Sequence, residues 1–308
     1  MRIKNILYLV SFLFFSKPAF ALNLDSIHYK MVQNQAEDHL SKWVQNYLVL
    51  ESEYYAYDKI ESAENTLDSI VINAWRKPIS TAENDQFFKV HWYKAFYLKD
   101  KGEIVQAKNH FEKSLNYYSK STKIFPEDLL IIYPPLGNIY TILGENEKAI
   151  IAHQKMIEVS NSLNSYEGKD DDLAVAYTNL SIVYETQKNL ALAIETVEKV
   201  KTIPSVSDYN LGIALSNYGK YLFQQNKLNA AGIELKNAIE LLEKIDNIDK
   251  YFLGGIYKTM ALISIEKNNI EVANYFLDLA IENYKKSELV RNREIAKSYV
   301  EKSKISSD

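Results

Sequence analysis

Tyr133-Pro134-Pro135-Leu136-Gly137-Asn138-Ile139-Tyr140 sets the frame for the whole chain. An aromatic residue, then Leu-Gly three residues on, then a second aromatic places all four on one face of a helix. Gly144 marks a turn, and Ala149 marks the helix that returns. The spacing recurs as Tyr177-x-x-Leu180-Ser181-x-x-Tyr184 with Ala193, and as Leu215-x-x-Tyr218-Gly219-x-x-Leu222 with Ala231 and Ala238. It recurs again as Tyr257-x-x-Met260-Ala261 with Ala273 and Ala280. Upstream, Ala95, Leu98, Gly102, Ala107 and Phe111 fit the frame more loosely, and Glu51, Tyr54, Ala63 and Leu67 fit it as a degenerate copy. With Ala63, Ala107, Ala149, Ala193, Ala231 and Ala273 as markers, the intervals are 44, 42, 44, 38 and 42, a mean of 42.

The residue types explain the pattern. Gly137, Ser181, Gly219 and Ala261 let two antiparallel helices approach closely, and the marker alanines do the same from the second helix. Large residues fill the space between stacked repeats, since one repeat cannot bury its apolar face alone. The expected fold is therefore all-α, a stack of antiparallel helix pairs. Composition agrees. Gly and Pro number 9 and 6 in 308 residues, about 5% against about 12% on average.

This pattern resembles the tetratricopeptide repeat superfamily, in a long-period form similar to kinesin-light-chain repeats. The resemblance implies an α-solenoid, a right-handed superhelix whose first helices line a concave groove that binds a protein or an extended peptide. On the first helix of the Tyr177 repeat, Tyr177, Leu180, Ser181 and Tyr184 centre on the packed face, so Thr178, Asn179, Ile182 and Glu185 lie on the far side. Corresponding positions elsewhere give Asn138, Thr141, Asn217, Lys220, Phe223, Lys258, Leu262, Trp92 and Lys99. An asparagine carries a donor and an acceptor on one side chain and so matches both peptide groups of an extended backbone. Asn138, Asn179 and Asn217, one per repeat, make a candidate ladder. Trp92 and Phe223 are candidate anchors, and Lys220 favours an acidic partner segment.

Three features depart from the pattern. Pro134 and Pro135 fall where a first helix is expected, and predict a helix that is kinked or starts late. The carbonyls they free, of Leu130 and Ile131, are then open to a partner. Lys77–Asn84 reads as the one linker, between N-terminal helices with the degenerate repeat (22–80) and the regular array (85–287). Residues 288–308 read as a charged capping helix and tail. Tyr54-Tyr55-x-Tyr57 and Tyr117-Tyr118 place one member of each run outward, because neighbours on a helix diverge by about 100°.

Catalytic chemistry has little to stand on. With no cysteine, thiolate zinc sites, iron–sulfur clusters and cysteine nucleophiles are excluded. The five histidines, His28, His39, His91, His110 and His153, include no pair four residues apart, and no phosphate loop, nucleophile elbow or calcium loop is present. Asp170-Asp171-Asp172 precedes an apolar-periodic helix and reads as capping and helix-dipole complementarity. The expectation is a non-enzymatic chain with no catalytic residue, metal or cofactor. The alternative is a sensor or regulatory input module that responds to a peptide or small ligand, with its output in another chain.

The first 21 residues read as an address. Arg2 and Lys4 precede the ten-residue apolar run Ile6–Phe15, and Ala19-Phe20-Ala21 supplies a cleavage site. Ten residues are about half of a bilayer span, so a signal peptide is expected, then an exported chain starting near Leu22 with no integral membrane segment. Removing Arg2, Lys4 and Lys17 changes the net charge from −4 to −7, with 33 basic against 40 acidic residues. An acidic chain gives no electrostatic reason to expect nucleic acid.

Overall fold

The computed structural model describes residues 30–35, 39–56, 58–121, 125–287 and 292–305, and the expected signal peptide, cleavage site, His28 and Tyr57 lie outside these. The described residues are helices and turns with no strand. The contacts divide the chain into two compact units, Met1–Lys123 and Ile124–Asp308.

Unit 1 holds α1 (Leu40–Ala56), α2 (Ile60–Asn73), α3 (Thr81–Asp100) and α4 (Ile104–Tyr118). Unit 2 holds α5 (Asp128–Ile142), α6 (Asn146–Ser162), α7 (Lys169–Thr186), α8 (Leu190–Glu198), α9 (Asp208–Gln224), α10 (Leu228–Leu242), α11 (Lys250–Glu266), α12 (Ile270–Lys286) and α13 (Asn292–Ile305). A 3-10 turn, Lys199–Thr202, prolongs α8. Each odd helix up to α11 pairs with the helix after it, which makes six antiparallel pairs.

One construction serves all six. The marker alanine of each second helix is fully buried, and four residues later stands another buried residue: Leu67, Phe111, His153, Val197, Leu235 or Leu277. Five residues before each alanine the chain takes a left-handed conformation, at Asp58, Gly102, Gly144, Lys188, Asn226 and Asn268. The next residue then donates its N–H to a carbonyl five residues back, for example Glu145 to Tyr140 and Asn189 to Tyr184, in every pair at 2.8 to 2.9 Å. This is the Schellman closure that satisfies the last carbonyls of the first helix. Only two of the six turns use glycine, although a side chain in this conformation costs about 1–2 kcal/mol. Lys188 is exposed at φ 60°. Lys188→Gly is expected to stabilise unit 2 by about 1 kcal/mol, read by chemical denaturation; an unchanged or lower midpoint refutes the strain.

Twelve residues before each marker alanine lies a position of close helix approach. Gly219 sits against Leu235, Gly137 against His153, and Ser181 and Ala261 are fully buried. In the first pair that position is Glu51, which is why the repeat looks degenerate in sequence. Its buried carboxylate accepts a 2.6 Å hydrogen bond from Tyr97. Burial pushes Glu51 up to about 7, although the Tyr97 bond works the other way.

Lys77–Asn84 is not a linker between bodies: α1 and α2 pack on α3, and the division falls at Lys123/Ile124. Ser80 caps α3, accepting from the Glu83 N–H at 3.2 Å, while Glu83 accepts from the Ser80 N–H at 3.1 Å and from Arg76 at 2.8 Å. That is a capping box locked by an ion pair. α5 does not start late, since it runs from Asp128 with Pro134 and Pro135 inside it. Tyr117 and Tyr118 both turn inward, with rings 5.5 and 5.7 Å from Phe87 and Phe88 of α3. Adjacent tyrosines can do this because they straddle the adjacent pair Phe87-Phe88.

The acidic triplet does not cap α7: the N-cap is Gly168, with no side-chain capping bond, and the three aspartates occupy the first turn. Asp170 and Asp171 accept the backbone N–H groups of Ser205 and Ser207 at 3.1 and 2.8 Å, and Asp172 accepts from the Tyr166 hydroxyl at 2.9 Å. The triplet thus ties the start of one pair to the start of the next. At the end of unit 2, α13 packs on α12, sets Ile305 against Ala261, Ala273 and Leu277, and pairs Glu294 with Lys258 at 3.0 Å.

Candidate functional site

Within unit 2 the first helices contact one another in succession, α5 with α7, α7 with α9, and α9 with α11, whereas successive second helices make no comparable contact. The first helices are therefore the tighter layer, and their faces turned away from α6, α8, α10 and α12 make the candidate surface. Counting from the close-approach residues Gly137, Ser181, Gly219 and Ala261 orders it. One residue after them come Asn138, Ile182, Lys220 and Leu262. Two residues before come Pro135, Asn179, Asn217 and Thr259. Four after come Thr141, Glu185, Phe223 and Ile265. Asn138 and Lys220 are exposed and the others are half-buried.

The asparagines do not form one ladder. Asn179 and Asn217 share a level, but Asn138 stands three residues later on its helix, one turn away. Its counterpart at their level is Pro135. Asn217 Nδ2 donates to the Ile213 carbonyl of its own helix at 3.1 Å, which occupies one of its donors. Asn138 and Asn179 make no hydrogen bond to a described residue, so both donor–acceptor sets are uncommitted.

Lys220 is not a free cation. Its Nζ lies 3.0 Å from Glu185 Oε1, which also accepts from Gln224 Nε2 at 2.9 Å. Burial alone raises the Glu185 pKa, but the bonds from Gln224 and Lys220 outweigh it and hold the carboxyl below its usual range. Phe223 is half-buried against the core of unit 2 and floors the surface rather than projecting from it. Gln224, the third member of this α7–α9 bridge, carries no signal in the sequence, since the bridge exists only once the helices are side by side.

Trp92 is not an anchor. It lies in unit 1, 6% exposed, with its ring 5.8 Å from Phe88 and 6.4 Å from Phe96. The frame contained the reason: Trp92 stands three residues before Ala95, the column that buries Thr178 before Ser181.

Side chains suited to chemistry are committed elsewhere. His91 and His110 face each other Nδ1 to Nδ1 at 3.0 Å, so one carries the proton that the other accepts. Burial, then the nearby His110 and Lys113, hold His91 down to about 3. Lys94 is buried between Glu64 and Asp68 at 2.9 and 2.8 Å. Among the described residues no three His, Asp or Glu side chains gather as a metal would require, and no helix is long and apolar enough to cross a membrane.

Solved structures share this arrangement. The apo form of the quorum sensor NprR from B. thuringiensis superposes with a TM-score of 0.68 at 16% identity, covering 92% of this chain and 78% of that one. At this identity the likeness is one of fold. PilW, a type IV pilus biogenesis factor, gives a TM-score of 0.56 at 13% identity over 83% of this chain and 98% of its own. Among curated proteins, the TPR repeat-containing protein MJ1428 of Methanocaldococcus jannaschii is 21% identical over 224 residues, 59% of this chain. The chain spans only 37% of that relative's length. No family model matches the sequence.

Proposed function

We propose that this is an exported, non-enzymatic scaffold that binds an extended segment of a partner protein or peptide along the first-helix surface of unit 2. The observation that carries the reading is the pair of uncommitted amides, Asn138 and Asn179, on a surface of mutually contacting helices that the second helices leave open. Backbone amides of an extended segment need donors and acceptors in alternation, and each asparagine offers both. The fold supports the reading, since NprR was also solved in complex with its cognate peptide NprX, with a TM-score of 0.59 and 16% identity to this chain.

Site-specific photo-crosslinking in cells tests it. A benzophenone side chain at Asn138 or Asn179 is expected to capture the same partner. At Glu195, on the outer face of α8, it should capture none. Labelling at all three positions, or at none, refutes the surface. The crosslinked chain is expected in the exported fraction with an N-terminus near Leu22; an intact Met1 there, or retention in the cytosol, refutes export.

A further inference from the structure

The charges on the first-helix surface of unit 2 say what kind of segment it takes. The lysines of α9 and α11 nearest this surface are neutralised from within: Lys220 by Glu185 at 3.0 Å, and Lys258, in the column that buries Thr178, by Glu294 at 3.0 Å. Neither pair is loose. Glu185 is held by Gln224 as well, and Glu294 by Lys297 at 2.8 Å. Glu294 sits on α13, so the terminal helix itself removes the last cation from the surface. Unpaired charge there is acidic, at the exposed Glu266.

What remains is apolar. Val175 and Ile182 of α7, Ile213 and Phe223 of α9, and Leu262 of α11 are half-buried along the surface, and Ile142 at the end of α5 is 69% exposed. Between them stand the neutral amides of Asn138 and Asn179.

From this geometry we infer that the partner segment is uncharged and aliphatic rather than acidic. The inference rests on the binding surface proposed above and adds the class of ligand. An acidic segment would have to displace Glu185 or Glu294 from its lysine, exchanging one ion pair for another while desolvating a third carboxylate, with no net electrostatic gain. An aliphatic segment leaves both pairs intact and covers apolar area worth about 25 cal/mol per Å². Packed helices lie about 8–10 Å apart. An extended polyproline-II segment returns to the same side every three residues, about 9 Å. Aliphatic side chains at every third position therefore meet successive first helices.

The probes are three fluorescent dodecapeptides: leucine at every third position with serine and glutamine between, the same peptide with glutamate for glutamine, and a neutral scramble. Anisotropy titration of the full chain is expected to show binding of the neutral patterned peptide, with affinity changing less than about twofold between low and high salt. The acidic peptide should bind about tenfold more weakly. Asn179→Ala and Ile182→Asp should each weaken the neutral peptide at least about fivefold, with the circular dichroism melt of each variant showing that it is folded. Tighter, salt-sensitive binding of the acidic peptide overturns the inference and leaves the surface standing. So does equal binding of patterned and scrambled peptides, or no peptide bound while Asn138 and Asn179 still crosslink a partner. Neither peptide binding nor crosslinking means that the surface itself is wrong.

Discussion

His153→Leu is expected to stabilise unit 2 and to abolish most of its acid sensitivity between pH 6.5 and 4. His153 stands in the column filled elsewhere by Leu67, Phe111, Val197, Leu235 and Leu277, and is as fully buried as they are. Neither of its ring nitrogens has a hydrogen-bond partner. A buried polar group left in this state costs about 1–3 kcal/mol, which leucine would recover. The site has the shape for it, because the ring covers Gly137 as Leu235 covers Gly219.

The pH dependence follows from the same burial. Desolvation, with no charged neighbour contributing, lowers the His153 pKa from 6.5 to about 4. The unfolded chain therefore takes up a proton near pH 6.5 that the folded chain refuses until about pH 4. Stability from this group is complete above pH 6.5, is lost as the pH falls through that window, and falls no further below it. The loss is on the order of 3 kcal/mol. His91 and His110 in unit 1 act in the same direction, so the measurement is the difference between wild type and variant. The chain provides a control: Trp43, Trp75 and Trp92 all lie in unit 1. Tryptophan fluorescence follows that unit, and far-ultraviolet circular dichroism follows both. A circular dichroism midpoint that rises in the variant, and rises more as the pH is lowered from 6.5 towards 4, with tryptophan fluorescence unmoved, is the expected result. A midpoint unchanged or lowered at pH 5 refutes it.

Five of the six helix pairs were legible because their markers are side chains with a volume requirement. Ala63 through Ala273 and the small residues opposite them must be small whatever else changes, so they survive as a pattern. The turns were half legible. Gly102 and Gly144 advertise a left-handed residue, but Lys188, Asn226 and Asn268 hold the same conformation without announcing it. The first pair was obscured by a single residue, Glu51, which fills the close-approach position with a carboxyl that Tyr97 must satisfy from 46 positions away.

The binding surface was less legible, for a different reason. Periodicity suggests which face of a first helix is free, but of the four residues expected there on α7, Thr178 is buried, while Asn179, Ile182 and Glu185 are half-buried. What a side chain on that face is doing does not follow. Lys220 reads as an available cation until α7 and α9 are adjacent and Glu185 meets it. Trp92 reads as an anchor until its column is compared with the one holding Thr178. Asn138 reads as a rung until its offset from Gly137 is set beside the offset of Asn179 from Ser181.

Gly219→Ala is expected to destabilise unit 2 in the wild-type background and to lose that effect when Leu235 is truncated. A Cβ at residue 219 would lie 2.6 Å from Leu235 Cγ, 2.8 Å from Cδ2 and 3.2 Å from the Ala231 carbonyl oxygen. Leu235 is fully buried, and the Ala231 carbonyl belongs to the backbone of α10, so neither neighbour yields without moving the helix. Overpacking of this kind costs about 1–3 kcal/mol, against about 1 kcal/mol that alanine returns over glycine inside a helix. Leu235→Ala alone opens a cavity and costs about 2–5 kcal/mol. Adding Gly219→Ala to it places a methyl group in that cavity with only the 3.2 Å carbonyl contact left. The sign should then reverse, because helix propensity and cavity filling now act together. Denaturation midpoints of the four proteins in the cycle test this. Additive losses would mean that Gly219 is needed for its backbone freedom and not for the approach of α9 to α10.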